Sequence, residues 1–348
     1  MKPIRDSRSG RLGFTIIELL TVMSIIVILM SLLAPALNRV RRYATDVKQR
    51  AQFHSIGIGL DTFNADFDGY PDSNAVDDQG YNYCGAMRLA EAMVGQDLKG
   101  FNPSSRFEQN GFVGSGSVGG TPKTPTDGMP YPPYNTCGVT VNSACYAENL
   151  RLRKMYLELE HANAYLLKDI YDTGTITSAT TALSGKPSTV TDGFDPCTFV
   201  LCDSYNRVTN RTNGKRIGMP ILYYKADQSK LKFPPSGTPP TTMRGGIMGS
   251  PDGAYFYTYN CWDNQALIDM GMPWQSSLVV HRLAEQGVTP EGFSITGGNA
   301  YPEEFYRIIR DPKVPSGDRP YRADSYILIS AGFDGEYGTS DDIYNFGD

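Results

Sequence analysis

Apolar positions divide the chain in two. From Phe14 to Leu37 the sequence reads FTIIELLTVMSIIVILMSLLAPAL, 24 residues with one ionisable side chain, Glu18. As a helix the run spans about 36 Å, enough for a hydrocarbon core of roughly 30 Å with some tilt. Beyond Pro35 the apolar spacing becomes steps of three and four through Leu37, Val40, Ala44, Val47 and Ala51. A second face follows, made of Phe53, Ile56, Leu60 and Phe63. That period predicts one continuous helix over 14–70, lipid-embedded first (14–37) and then packed on a globular head. Gly57 and Gly59 each weaken it by about 1 kcal/mol relative to Ala, and imply fraying or a close backbone contact. DFDGYPDS supplies the stop at Gly69 and Pro71.

The head, 71–348, is less regular. Met87, Ala90, Met93 and Val94 predict a short helix within Cys84–Leu98, and Leu152, Met155, Leu159, Ala162 and Leu166 predict another over Glu148–Asp172. Asn102–Asn135, rich in Gly, Pro, Ser and Thr, has the composition of an exposed loop. Asp172–Pro196 reads as loop or weak strand. Met219–Ala226, Ala254–Asn260 and Ser325–Ser330 are short β-branched and aromatic runs bounded by turn residues, hence strands. The fold class is therefore α+β: a long N-terminal hydrophobic helix packed on a small antiparallel sheet, decorated by an insertion over about 72–218.

Glu18 is the anomaly of the apolar run. A carboxylate one turn inside a membrane segment costs a few kcal/mol unless it has a partner. Its setting is a short basic leader, then Gly13-Phe14, Thr15 and Glu18 at the fifth position from Phe14, with Pro35 further along. In these residues the chain resembles the type IV pilin-like proteins, most closely the major pseudopilins of type II secretion. The resemblance implies that residues 1–13 are a leader, that a prepilin peptidase cuts between Gly13 and Phe14, and that the new Phe14 amine is methylated. It also implies single-pass insertion in the bacterial inner membrane with the head in the periplasm, then assembly into a filament through an inner-membrane platform. Physically, Glu18 of one subunit would neutralise the Phe14 amine of the next. Such a pair sets registry more than raw stability, because desolvation offsets much of the attraction.

Charge is 32 Lys and Arg against 37 Asp and Glu; without residues 1–13 it is 28 against 36, a net −8. So acidic a chain is no general nucleic-acid binder. Export would place Cys84, Cys137, Cys145, Cys197, Cys202 and Cys261 in an oxidising space, where an even count suits a disulfide framework. Of fifteen pairings, closeness in sequence favours Cys137–Cys145 and Cys197–Cys202, leaving Cys84–Cys261. A zinc site is disfavoured: there is no Cys-x-x-Cys, and His54, His161 and His281 lack ligand spacing.

None of the nucleophile-elbow, phosphate-loop, zinc-protease or dinucleotide motifs occurs, so the chain reads as non-enzymatic. One constellation remains, SAGFDGEYGTSDDI over 330–343, whose three aspartates, glutamate and glycines offer hard oxygen ligands on a pliable backbone. It lacks the EF-hand spacing, and Asp-Gly is also ordinary turn chemistry. The stretch resembles the C-terminal calcium loop of major pseudopilins, which implies Ca2+ held by Asp334, Asp341 and Asp342.

The expectation is a structural subunit of a pseudopilus or pilus-like filament, its partners being other copies of itself or other pilins. Two rivals stand beside it: a minor pilin acting as an adhesin or substrate-binding module, and a membrane-anchored periplasmic protein. The 22 tyrosines, several in loop-like stretches such as YNYC and YPPYN, favour the binding module.

Overall fold

The computed structural model describes residues 15–77, 82–109, 134, 150–172, 175–176, 193–229, 258–275, 281–284, 303–314 and 319–347. The chain forms two compact units, Met1–Val47 and Lys48–Asp348. Helix α1, Ile16–Phe67, runs 52 residues with Pro35 inside it. It is long and apolar enough to cross a membrane, with a mean hydropathy of 2.7 over its most apolar window. Hydroxyls on this stretch bond back along the helix, Thr21 to the Glu18 carbonyl at 3.0 Å, Ser24 to Thr21 at 2.8 Å and Ser31 to Ile28 at 2.7 Å. Polar side chains therefore satisfy themselves without water. The helix stops where expected, and the residue that ends it is Asp68, left-handed at φ 53°, a conformation Asp tolerates better than most non-glycine residues.

In the second unit the last turns of α1 supply the predicted face: Phe53, Ile56, Leu60 and Phe63 are all buried. They pack with Leu89 and Met93 of α2 (Gly85–Val94), and with Tyr223 and Leu328 of the sheet. Gly59 marks close packing and no fraying, since a Cβ there would lie 2.8 Å from both the Met93 sulfur and the Tyr156 carbonyl. Gln49 and Gln52 fasten the helix to the 202–204 turn. The Ser204 amide donates to Gln49 Oε1 at 2.7 Å, and Gln52 Nε2 donates to the Cys202 carbonyl at 2.9 Å.

The Glu148–Asp172 helix does not form as one piece. It is α3 (Leu159–Ala162), β1 (Ala164–Leu166) and α4 (Leu167–Ile170), broken by Asn163 at φ 48°. Pairing of β1 with β2 (Phe199–Leu201) outweighs local helical spacing, and Leu152, Met155 and Leu159 stay exposed. A hairpin of β3 (Val208–Thr209) and β4 (Arg216–Ile217) follows.

The main sheet is antiparallel, in the order β5 (Leu222–Lys225), β6 (Tyr326–Ser330), β7 (Ile343–Tyr344). It has a core on each face. Tyr223, Tyr326 and Leu328 face the α1 side, while Leu222, Tyr224, Ile327 and Ile329 join Met87, Leu267 and Phe305 on the other. This is the period-two alternation of strands buried on both faces. Most of the strand expected at Ala254–Asn260, the Gly/Pro-rich loop apart from its ends, Cys137 and Cys145 lie outside the described residues.

The cysteines correct the expected pairing. Cys84, Cys202 and Cys261 are free, buried thiols of the same core, so neither Cys197–Cys202 nor Cys84–Cys261 forms. Cys197 is disulfide-bonded, to none of these three. Strand β2 explains the first failure. Its three extended residues, Phe199–Leu201, alone rise about 10 Å, beyond the roughly 4.4–6.8 Å that a disulfide allows between Cα atoms. Closeness in sequence is not closeness in space when the intervening residues are a strand.

Candidate functional site

At the mouth of α1, Thr15 and Glu18 cap one another. Glu18 Oε2 accepts the Thr15 backbone N–H at 2.9 Å and its hydroxyl at 2.7 Å, while the Glu18 amide donates to Thr15 Oγ1 at 3.3 Å. This is a capping box, in which a Thr and the Glu three residues on satisfy donors that the first helical turn leaves orphaned. The Thr-x-x-Glu spacing is legible in the sequence as a helix-start signal. Both bonds that the carboxylate accepts use Oε2, and Oε1 has no partner among the described residues. Gly13 and Phe14 lie outside the described residues.

At the other end, residues 330–344 fold into successive turns. Asp334 Oδ1 accepts the Glu336 amide at 2.8 Å, and Asp341 accepts the Asp334 amide at 2.9 Å and the Thr339 hydroxyl at 2.6 Å. Asp342 turns inward, where Oδ2 accepts the Gly338 amide at 2.8 Å and the Tyr344 hydroxyl at 3.0 Å. Burial pushes the Asp342 carboxyl up to about 8; its two donors oppose this and the charges of Asp341 and Asp334 add to it. Asp334 is also raised, by burial first and then by the Asp341 charge. Asp341 stays below the usual range. Burial is the largest influence and acts upward, but hydrogen bonds from Thr339, Asp334 and the Phe333 backbone together outweigh it.

As arranged, the three aspartates do not converge on one point. No group of three or more Asp, Glu, His or Cys with metal-holding geometry occurs among the described residues. Asp334 and Asp341 are the two that face each other, whereas Asp342 is committed to the loop's own amide and Tyr344.

Sequence reading missed the carboxylate beneath this loop. Asp203 is fully buried and accepts the Ser330 hydroxyl at 3.0 Å and the amides of Tyr205 at 3.2 Å and Met219 at 3.1 Å. Burial raises it to about 7. It joins the end of β6 to the segment entering β5, and nothing in its sequence neighbourhood announces that role.

In the two tyrosine-bearing stretches YNYC and YPPYN, the tyrosines among the described residues are structural. Tyr83 of YNYC is buried and donates to Glu91, and Tyr134 of YPPYN is buried and accepts the Asn102 amide at 3.0 Å. Neither is a recognition side chain.

No family model, curated protein or solved structure matches the chain.

Proposed function

We propose that the protein is a non-enzymatic structural subunit of a pseudopilus or type IV pilus-like filament, assembled through α1 after removal of residues 1–13. The observation that carries the reading is the mutual cap of Thr15 and Glu18 at the start of an unbroken 52-residue helix. It gives the one acidic residue of the apolar run a defined place, with Oε2 used within its own chain and Oε1 left over. In the proposed filament Oε1 of Glu18 takes the Phe14 amine of a neighbouring copy. That contact is head-to-tail and unclosed, the kind that generates helical filaments. Its partners are other copies or other pilins, a prepilin peptidase and an inner-membrane platform, with the head on the periplasmic side.

Calcium belongs to the proposal in a narrowed form. Asp334 and Asp341 are the pair whose mutual repulsion a divalent cation would relieve, and Asp342 would need to turn outward to complete a three-carboxylate set. Intact-mass measurement of protein extracted from membranes of a peptidase-positive host tests the primary claim. Loss of Met1–Gly13 with a methylated Phe14 is expected, and retention of the leader rejects it.

A further inference from the structure

The hairpin of β3 and β4 and the turn leading into it carry two arginines, Arg207 and Arg216, with no carboxylate partner among the described residues. Its turn is stiff: Asn210 Oδ1 accepts the amides of Thr212 at 2.8 Å and Asn213 at 3.1 Å, and the Gly214 amide donates to the Asn210 carbonyl at 2.8 Å. Beside it opens a pocket of about 650 Å³ whose lining includes Arg207, Thr209, Arg211, Arg216, Pro273 and Trp274. Arg211 is paired with Asp172 at 3.0 Å. Arg207 and Arg216 have no carboxylate partner among the described residues.

Exposed arginines are ordinarily just solvated surface. Three features separate these from that case. The Arg207 guanidinium lies over the Trp274 ring, 5.0 Å from its centre, a contact that restrains its position. Arg216 is steered to the same wall by a 3.0 Å bond from Nη1 to the Arg207 carbonyl. And the site is concave, of a volume usual for small-molecule pockets, in a chain whose net charge is −5. Two guanidinium groups lining one pocket match an oxyanion, because guanidinium recognises carboxylate and phosphate through paired, charge-assisted bonds. The Thr209 lining suits a hydroxyl group beside that anion.

We propose that this pocket binds an oxyanion on a small hydroxylated ligand, of the acidic-sugar class, with Arg207 and Arg216 as the anion-binding side chains and Trp274 as the residue that positions Arg207. The site is independent of the filament proposal. It is tested on the full chain in detergent at low salt, by titrating galacturonate, galactose and inorganic phosphate while following tryptophan fluorescence and heat. Galacturonate should saturate, galactose should not, and added salt should weaken binding. Arg216→Gln should weaken galacturonate about tenfold or more, the worth of a charged hydrogen bond. Arg216→Lys, which keeps charge and loses the fork, should fall between, and serves if the Gln variant melts early. The signal should vanish in Trp274→Phe, leaving the buried Trp262 silent. Absence of saturation, equal affinity in Arg216→Gln, or binding of galactose would overturn the site. Phosphate as tight as galacturonate, or capture of an acidic peptide without galacturonate, would overturn the acidic-sugar assignment.

Discussion

Gly335 lies directly against Trp274. A Cβ on Gly335 would collide with the indole and sit 2.9 Å from Arg207 Cγ, and the residue is left-handed at φ 78°. The Asp-Gly turn of the C-terminal loop is thus the floor on which the Trp274–Arg207 stack rests, and glycine is required there twice over, for its backbone and for its missing side chain.

Gly335→Ala should therefore cost about 1–3 kcal/mol, the range for strained backbone or overpacking. It should also shift the Trp274 emission, because the ring must move. Thermal melting with fluorescence detection checks both. An unchanged melting point would mean that the loop yields freely.

Glu18 has two separable roles. Glu18→Gln keeps acceptor oxygen for the Thr15 amide and loses the charge; Glu18→Leu loses both. Both variants should insert in the membrane, and both should fail to give filaments by shearing and imaging, because the proposed Phe14 amine needs an anion. Thr15→Ala should cost about 0.5–2 kcal/mol at the helix start while leaving assembly. Filaments of normal yield from Glu18→Gln would confine the residue to capping.

Alkylation of protein denatured without reductant should label Cys84, Cys202 and Cys261 and spare Cys197, as read by peptide mass. In the folded state the three should resist labelling, since burial pushes Cys84 up to about 12 and raises the other two as well, which suppresses the reactive thiolate. Rapid labelling of any of them in folded protein would contradict their burial.

Three buried carboxyls predict the sign of the pH dependence. Asp342 stands near 8, and Asp203 and Asp263 near 7, each raised chiefly by burial. An unfolded Asp titrates near 3.9, so between that value and the folded ones the native state holds more protons than the unfolded state. Their contribution is complete below about pH 4 and is lost as pH rises through 7 to 8, at up to about 1.4 kcal/mol per pH unit for each group fully differing in protonation. Melting points should fall from pH 5 to pH 8, and Asp342→Asn should flatten the upper part of that slope. A rise over the same range would mean that other groups dominate.

Calcium should act against that slope if the loop binds it. The cation would hold Asp334, Asp341 and a turned-out Asp342 ionised, so its stabilisation should be larger at pH 8 than at pH 5. At a hundredfold excess over Kd the gain is about 2.7 kcal/mol. Asp341→Ala should abolish it, and magnesium should do less. No change in melting at millimolar calcium would reduce the loop to a set of turns.

Helical and strand periodicity made much of the scaffold legible. The α1 face of Phe53, Ile56, Leu60 and Phe63, the interior of α2 and the two long strands of the main sheet could each be read from spacing, because burial on a regular element leaves a repeating mark. What was not legible depends on partners distant in sequence. Strand β7 is two residues long and exists because Ile329 and Ser330 pair with it. Asn163 breaks a helix that local spacing supports because β2 supplies the better neighbour. Of the candidate sites, the Thr15–Glu18 cap was written in local spacing. Asp203 and the Arg207–Trp274 stack join segments tens of residues apart, and composition carries no trace of them.

The alternation along β5 and β6 has a further implication for how faithfully this chain must thread itself. Neighbouring residues on these strands serve opposite interiors, so sliding one strand past the other by a single position would deliver every side chain of the slipped strand to the wrong compartment. Both interiors are apolar, and hydrophobicity alone would tolerate the mistake. Polar tips make the distinction, both on the α1 side: Tyr223 of β5 reaches the Pro71 carbonyl at 2.6 Å, and Ser330 of β6 meets Asp203 at 3.0 Å. A strand slipped by one position would carry its own hydroxyl into the opposite, apolar interior. Tyr223 and Ser330 act as keys that reject the misaligned fold, a use of hydroxyl chemistry as proofreading.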